Sequence, residues 1–141
     1  MEIIYPAVLE PDGDNVMVTF PDFPEAVTSA PSEEQALIMA IDCLEEAIAG
    51  RIADREDIPA PRTPEGAQHP VFLPTLTAAK ALLWIEMRQR GLKMADLARL
   101  AGWEQKQVAR IFDFRHASKG EIIDQAFAAL GKRLTLSLVA A

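Results

Sequence analysis

The chain has 141 residues, half of them apolar, and a formal net charge of −7. This length allows one ordinary domain or two small ones. The large share of apolar residues excludes an intrinsically disordered chain, because it is sufficient to form a core. Its one cysteine, Cys43, excludes an intrachain disulfide framework and favours a reducing compartment.

The average charge conceals two halves of opposite sign. Residues 1–76 hold fifteen acidic and three basic side chains, whereas residues 77–141 hold six acidic and eleven basic ones. The two halves therefore carry about −12 and +5. Such a division predicts two surfaces with different partners, a cationic partner for the first half and an anionic one for the second.

The opening residues MEIIYPAVLEPDG lack the basic start and apolar stretch of a secretory signal. No apolar run approaches the ~20 residues that a membrane helix needs. We therefore expect a cytoplasmic protein without membrane contact.

The first half is predicted to begin with a β-hairpin. Residues 3–10 and 14–20 are rich in apolar and β-branched side chains, and a turn-forming Pro-Asp-Gly lies between them. The segment 21–24 should turn, because its two prolines supply no amide hydrogens to a ladder. A short third strand is expected over residues 26–30.

A helix is predicted to begin at Ser32, which forms a capping-box pattern with Gln35. It should fray near Gly50, and a proline-rich stretch then leads to a fourth strand over residues 71–76, in which Pro74 requires either an edge strand or a position at a strand end. The apolar side chains at three- and four-residue steps should pack on the sheet and leave the acids in solvent. These apolar side chains are Leu37, Ala40, Ile41, Leu44 and Ile48.

From Thr77 onward the periodicity becomes helical, close to the point where the charge changes sign. We therefore predict two domains, residues 1–76 and 77–141. The second should hold four helices: one ending at Gly91, one over 94–101 with Leu97, Leu100 and Ala101 inward, one over 104–113, and one capped by Ser118 with Glu121. A leucine-rich tail after Gly131 alternates like a strand but is too short to be stable without a partner.

The strongest functional pattern is LARLAGWEQKQVARI, residues 97–111, which reads as helix, glycine-containing turn, helix. Such a pair can project its second helix into the major groove while the first braces it across the backbone. Gln can pair bidentately with adenine, and Arg with guanine. The pattern predicts DNA contacts from Gln105, Lys106, Gln107 and Arg110, with Arg115 and Lys119 placed to touch phosphate.

Two alternatives remain open for this half. Its lysines and arginines could be the solvated face of a plain helical bundle, and Glu104 and Asp113 would lie unfavourably near phosphates. Trp103 is expected to pack between the two helices, although stacking on a DNA sugar is the competing interpretation. Trp84 is expected in the core. A single copy would bind operator DNA weakly, so a dimer with paired half-sites is required.

The helical half resembles the phage-repressor, Xre-like class of helix-turn-helix, whose usual positions fall on Leu97, Ala98, Gly102, Val108 and Arg110. The first half resembles HicB antitoxins. That resemblance rests on Phe20-Pro21-Asp22-Phe23-Pro24, on the threonine-bearing strand at Thr28, and on Ser32-Glu33-Glu34-Gln35-Ala36 opening a helix.

These resemblances imply an α+β fold, in which a partial ribonuclease-H-like β-β-β-α-β domain precedes an all-α helix-turn-helix domain. They also imply an antitoxin that masks a small basic mRNA-cleaving toxin, HicA, and represses their shared operon. The implied partners are that toxin, operator DNA and further copies of the chain in a homodimer or homotetramer.

The toxin-contact candidates are Asp22, Phe23 and Glu25. Phe23, held between two prolines, is either an exposed anchor or a side chain that closes the sheet core. HicB antitoxins often have glycine where this chain has Glu25. The loop, and with it the contact to the toxin at this position, is therefore expected to differ from theirs.

Catalysis, metal binding and cofactors are not expected. The acids of the first half that are available for two-metal chemistry lie in turns, where acids are common for backbone reasons alone. His69 and His116 have no nearby Cys or His to complete a metal site. The alternative of a different class is a stand-alone transcription regulator whose first domain senses a ligand or dimerises. A gene for a small basic protein beside this one would favour the antitoxin.

Overall fold

The computed structural model describes residues 2–141, so Met1 lies outside the described part of the chain. The described chain forms two compact units, residues 2–78 and 79–141. The elements in chain order are β1 (Ile4–Asp12), β2 (Asn15–Phe20), β3 (Phe23–Ala30), α1 (Glu33–Ala53), β4 (His69–Phe72), α2 (Thr75–Gln89), α3 (Met94–Ala101), α4 (Gln105–Ile111) and α5 (Gly120–Ala129). The predicted α+β class and the order β-β-β-α-β are confirmed.

The first unit is built on an antiparallel sheet with the strand order β3-β2-β1-β4. β1 and β2 form the predicted hairpin, and Gly13 adopts the positive φ of 60° that its turn requires. The predicted turn over 21–24 is shorter than expected, because Phe23 already pairs with Phe20 across an irregularity in the register. β4 lies at the edge, as predicted, but over residues 69–72, because α2 has begun by Thr75.

Helix α1 covers one face of this sheet and buries every fourth side chain. Ser32 accepts a hydrogen bond from the Gln35 amide, as the capping pattern predicts. The predicted stripe was partly wrong, since Leu37 and Ile41 are only half-buried, and the helix continues past Gly50. Glycine inside a helix costs about 1 kcal/mol relative to alanine. The burial of Ile52, two residues beyond Gly50, offsets that cost. The fully covered side chains are Ala36, Ala40, Leu44, Ile48 and Ile52.

The second unit is all helical around an apolar core. Trp84 is buried, as predicted, and its ring meets that of Phe112 edge-on at 5.1 Å between centroids. Two local predictions were wrong: Leu100 is 50% exposed, and Ser118 does not cap α5, whose N-cap residue is Lys119. The other core side chains include Leu83, Met87, Leu97, Val108, Ile111, Ile123 and Phe127.

The tail that follows α5 is exposed. Residues 132–141 form neither helix nor strand, and the side chains of Leu136 and Leu138 are 80% and 101% exposed. The strand-like alternation of the tail therefore lacks a pairing strand within the described chain, as its short length led us to expect.

Gly102→Ala should destabilise the second unit. Gly102 holds φ at +70°, and nothing lies within 4 Å of an added Cβ, so the cost is conformational and amounts to about 1–2 kcal/mol. Denaturant titration would measure it. Gly120→Ala, at an ordinary helical position, is the matched control. Equal stability of the two variants would contradict the conclusion that the left-handed backbone at Gly102 requires glycine.

Candidate functional site

The candidate nucleic-acid interface is formed by α3, the connection at residues 102–104, and α4. Gly102 ends α3 in the left-handed conformation, and the Trp103 amide donates to the Ala98 carbonyl at 2.8 Å. Glu104 is the N-cap residue of α4, and its amide donates to the Gln107 side chain at 3.0 Å. This short connection fixes the direction in which α4 leaves α3.

Helix α4 separates its apolar and polar sides sharply. Val108 and Ile111 are 1% exposed and anchor the helix in the core. All four side chains predicted to read bases lie on its exposed surface: Gln105, Lys106, Gln107 and Arg110. Lys106 and Arg110 are four residues apart, so they follow one another along the same side of the helix.

The segment between α4 and α5 adds further cations. Arg115 and Lys119 are exposed there, and the Asp113 carboxylate accepts a bond from the Arg115 amide at 2.9 Å. A groove of about 400 Å³ runs beside these residues and is lined partly by Gln107, Arg110 and Lys119. Residues 104–119 hold four Lys or Arg side chains against two acids. The surface therefore remains net positive despite Glu104 and Asp113.

Trp103 and Lys80 have positions that the sequence did not fully reveal. Trp103 is half-buried and lines the groove together with Ile111 and Ile122.

Lys80 was not identified from the sequence as a residue of this region. Lys80 is 0% exposed, and its Nζ donates to carbonyls at the end of α4 and in the segment that follows. Burial lowers the pKa of this ammonium, and the nearby Asp113 opposes that effect. The available signal was a lysine placed inside the apolar run AAKALLW.

In the first unit, the acids predicted to contact a partner are paired with arginines. Arg62 Nε donates to both Asp22 carboxylate oxygens at 3.1 and 3.0 Å. Arg51 donates to Glu25 through Nε at 2.7 Å and Nη2 at 2.8 Å. These two acids are therefore compensated locally, although Glu25 stays 45% exposed.

Phe23 lies beneath this pair of arginine contacts. Its side chain is 0% exposed and meets the Tyr5 ring edge-on at 5.0 Å, while the Arg51 guanidinium lies 4.6 Å from the Phe23 centroid. Of the two alternatives for Phe23, the structure supports the one in which it closes the sheet core.

A different set of acids is free of the arginine pairs and lies on α1. Glu34, Ile38, Asp42 and Glu46 recur every fourth residue on the side opposite the buried stripe, and all four are exposed. Ile38 is 62% exposed at the middle of this set, which we call the acidic α1 stripe. An exposed apolar side chain flanked by carboxylates on both sides makes a surface suited to a cationic partner.

Within residues 2–141, no three His, Cys, Asp or Glu side chains come together as metal ligands would. In the same range, no helix has both the length and the apolar character needed to cross a membrane.

The Glu25–Arg51 pair should make stability depend on pH. The hydrogen bond from Arg51 lowers the pKa of Glu25 below its ordinary value of 4.5. A carboxyl with a lowered pKa stabilises the fold above its unfolded-state value, and that contribution is lost as the pH falls through the folded-state value. Glu25→Gln should therefore lower the melting temperature slightly at pH 7, and the difference should vanish well below pH 4.5.

The matched control for this experiment is Glu10→Gln, at an exposed acid that makes no ion pair among the described residues. An exposed pair is worth about 0.2–1 kcal/mol, so differential scanning calorimetry on both variants is the appropriate measurement. A Glu25→Gln difference that persists unchanged at low pH would show that the pair is not its cause.

Comparison with known proteins gives consistent matches. Residues 4–82 match a family described as HicB-like antitoxin of bacterial toxin-antitoxin systems. Two proteins of Photorhabdus laumondii, Antitoxin HicB 2 and Antitoxin HicB 1, are 41% and 38% identical, covering 94% and 95% of this chain and 94% and 86% of their own lengths. Antitoxin HicB of Escherichia coli K12 is 34% identical over 96% of this chain and 99% of its own.

Proposed function

This chain belongs to the HicB-like antitoxin family, and on that premise we propose that it neutralises a basic mRNA-cleaving toxin of the HicA class and represses its own operon. Membership of this family supports the antitoxin role. The relatives align over both units and point to a regulatory rather than a catalytic protein. We place the two tasks on different units and both in the cytoplasm, where mRNA and operator DNA are found.

We infer that the toxin binds the first unit at the acidic α1 stripe. A toxin that cleaves RNA has to present cationic groups to phosphate, and the stripe offers carboxylates to the same groups. Ile38 supplies the apolar centre that interfaces concentrate their binding energy on. Inhibition would then be steric and electrostatic. Asp22 and Glu25 remain secondary candidates, because their arginine partners would have to exchange or share them.

The observation that supports DNA binding is the exposed polar side of α4. Its buried residues fix the helix and leave Gln105, Lys106 and Arg110 exposed to meet base edges, while Gln107, whose Oε1 accepts from the Glu104 amide, keeps its side-chain NH2 group for a base. Arg115 and Lys119 extend the cationic surface toward the phosphates. A reading helix that follows a three-residue connection fits the helix-turn-helix arrangement.

A single unit of this size binds DNA weakly, so the proposal requires two or more copies. The leucine-rich tail is suited to that task. Leu136 and Leu138 alternate with polar residues and are exposed, so two tails pairing antiparallel about a twofold axis would bury them. A homodimer, or a homotetramer made from two such dimers, would hold paired half-sites.

Replacing Lys106 and Arg110 with Ala should abolish operator binding and leave toxin inhibition intact, because the two tasks lie on different units. Fluorescence anisotropy with a labelled operator and a translation-inhibition assay measure the two properties. The charge-matched control is Arg90→Ala with Lys132→Ala, whose side chains pair with Glu86. Loss of both activities in the first variant would refute the division of tasks.

Neutralising the acidic α1 stripe with Glu34→Gln, Asp42→Asn and Glu46→Gln should weaken toxin binding at least tenfold, with operator binding unchanged. The reason is that interfacial charge pairs carry about 1.5 kcal/mol or more each. Isothermal titration calorimetry against the purified toxin is the measurement.

The control for the stripe removes three acids from the β1–β2 hairpin instead, with Glu10→Gln, Asp12→Asn and Asp14→Asn, all of them exposed. A third variant, Asp22→Asn with Glu25→Gln, tests the turn. Toxin affinity that falls in the hairpin or turn variant and is retained in the stripe variant would move the contact away from α1.

A further inference from the structure

Lys80 is a charged side chain inside the core of the second unit. It lies on α2 with 0% of its surface exposed. Its Nζ donates to the carbonyl oxygens of Arg110, Asp113 and His116 at 3.2, 2.7 and 2.6 Å. An ammonium group has three protons, so every donor is used and three backbone acceptors are satisfied at once.

The acceptors occupy a particular part of the unit. Arg110 lies in the last turn of α4, where unpaired carbonyls give the helix end a partial negative charge that a cation stabilises. Asp113 and His116 lie in the connection to α5, on either side of Arg115. One buried ammonium therefore holds the end of α4 and the segment that carries Arg115 against α2.

The rest of that segment is held by short-range bonds. The Asp113 amide donates to the Arg110 carbonyl at 3.2 Å, and the His116 amide to the Asp113 carbonyl at 3.1 Å. Residues 113–119 form no helix or strand that would fix them otherwise. The contacts of Lys80 are long-range, because they join residues 30, 33 and 36 positions apart.

We propose that Lys80 is a positioning residue for operator binding: from inside the core it sets the place of Arg110 and of the segment that carries Arg115 and Lys119. It touches no DNA itself, because it has no exposed surface. The inference rests on the proposed DNA-binding function and assigns a role to a residue behind that surface. Removal of the ammonium leaves the three carbonyls with only their short-range amide partners, from Asp113, His116 and Ser118, so nothing then ties the segment to α2 through Lys80.

The test uses the full-length protein with Lys80→Met, which keeps the length and apolar stem of the side chain. Operator affinity should fall at least tenfold, while toxin inhibition stays at the wild-type value. The dependence of affinity on salt should also weaken, because each lost phosphate contact lowers the slope of log K against log salt by about 0.9. Amides of residues 113–119 should exchange hydrogen faster than in the wild type.

Arg90→Met, which removes a positive charge from an exposed side chain just after α2 in the same unit, should bind operator within about twofold of wild type. If Lys80→Met does not fold, Lys80→Gln is used instead, because its amide retains two of the three donors on a shorter stem. A folded Lys80 variant with wild-type affinity and salt slope would overturn the positioning role. A wild-type protein that binds no operator DNA would overturn both this role and the proposed repressor function.

Discussion

Each helix has to bury apolar side chains while keeping its charges in water, and this constraint decides where both proposed surfaces lie. In α1 the buried stripe ends at Ile52 and turns Glu34, Asp42 and Glu46 outward. In α4 the burial of Val108 and Ile111 turns Lys106 and Arg110 outward. The same packing rule thus presents an acidic surface on the first unit and a basic one on the second. The acidic surface lies wholly on a helix, whereas the basic one extends from α4 onto the irregular segment that carries Arg115 and Lys119.

The charges that do turn inward are each compensated by specific partners. Lys80 finds three carbonyls, and Arg51 finds Glu25 together with the face of Phe23. Arg62 finds Asp22 from a segment that lacks regular structure. An uncompensated charge at the fully buried Lys80 would cost several kcal/mol, whereas the partly exposed arginine pairs contribute less. The contacts therefore tie irregular segments to the nearest packed element, which is how the turn after β2 and the segment after α4 are held without a strand or helix of their own.

Local sequence patterns predicted much of the fold, and most of the features that they did not predict depend on long-range contacts. The hairpin at Gly13, the start of α1 at Ser32 and the turn at Gly102 follow from side-chain chemistry within a few residues, and each is found where it was expected. Leu37 and Leu100 were misplaced: Ala36 and Ala40 take the buried positions in the first half of α1, and Leu97 and Ala98 take them in α3. The pairing of Asp22 with Arg62 and the burial of Lys80 join residues 40 and at least 30 positions apart, beyond the reach of any periodicity. The exposure of Lys106 and Arg110 opposite the buried Val108 was predicted correctly, because a single helical wheel contains all three.

The tryptophans and the tyrosine lie in different units, so their optical signals belong to different parts of the fold. Both tryptophans, Trp84 and Trp103, belong to the second unit, whereas the one tyrosine, Tyr5, belongs to the first. Tyr5 is fully buried, and its hydroxyl donates to the Pro59 carbonyl at 2.6 Å. Indole emission excited at the red edge therefore reports on the helical unit alone, while the tyrosine bands of the second-derivative absorbance spectrum, resolved from those of the indoles, report on the sheet. The natural chain thus carries two spectroscopic probes that can follow the two units through one unfolding experiment without any label.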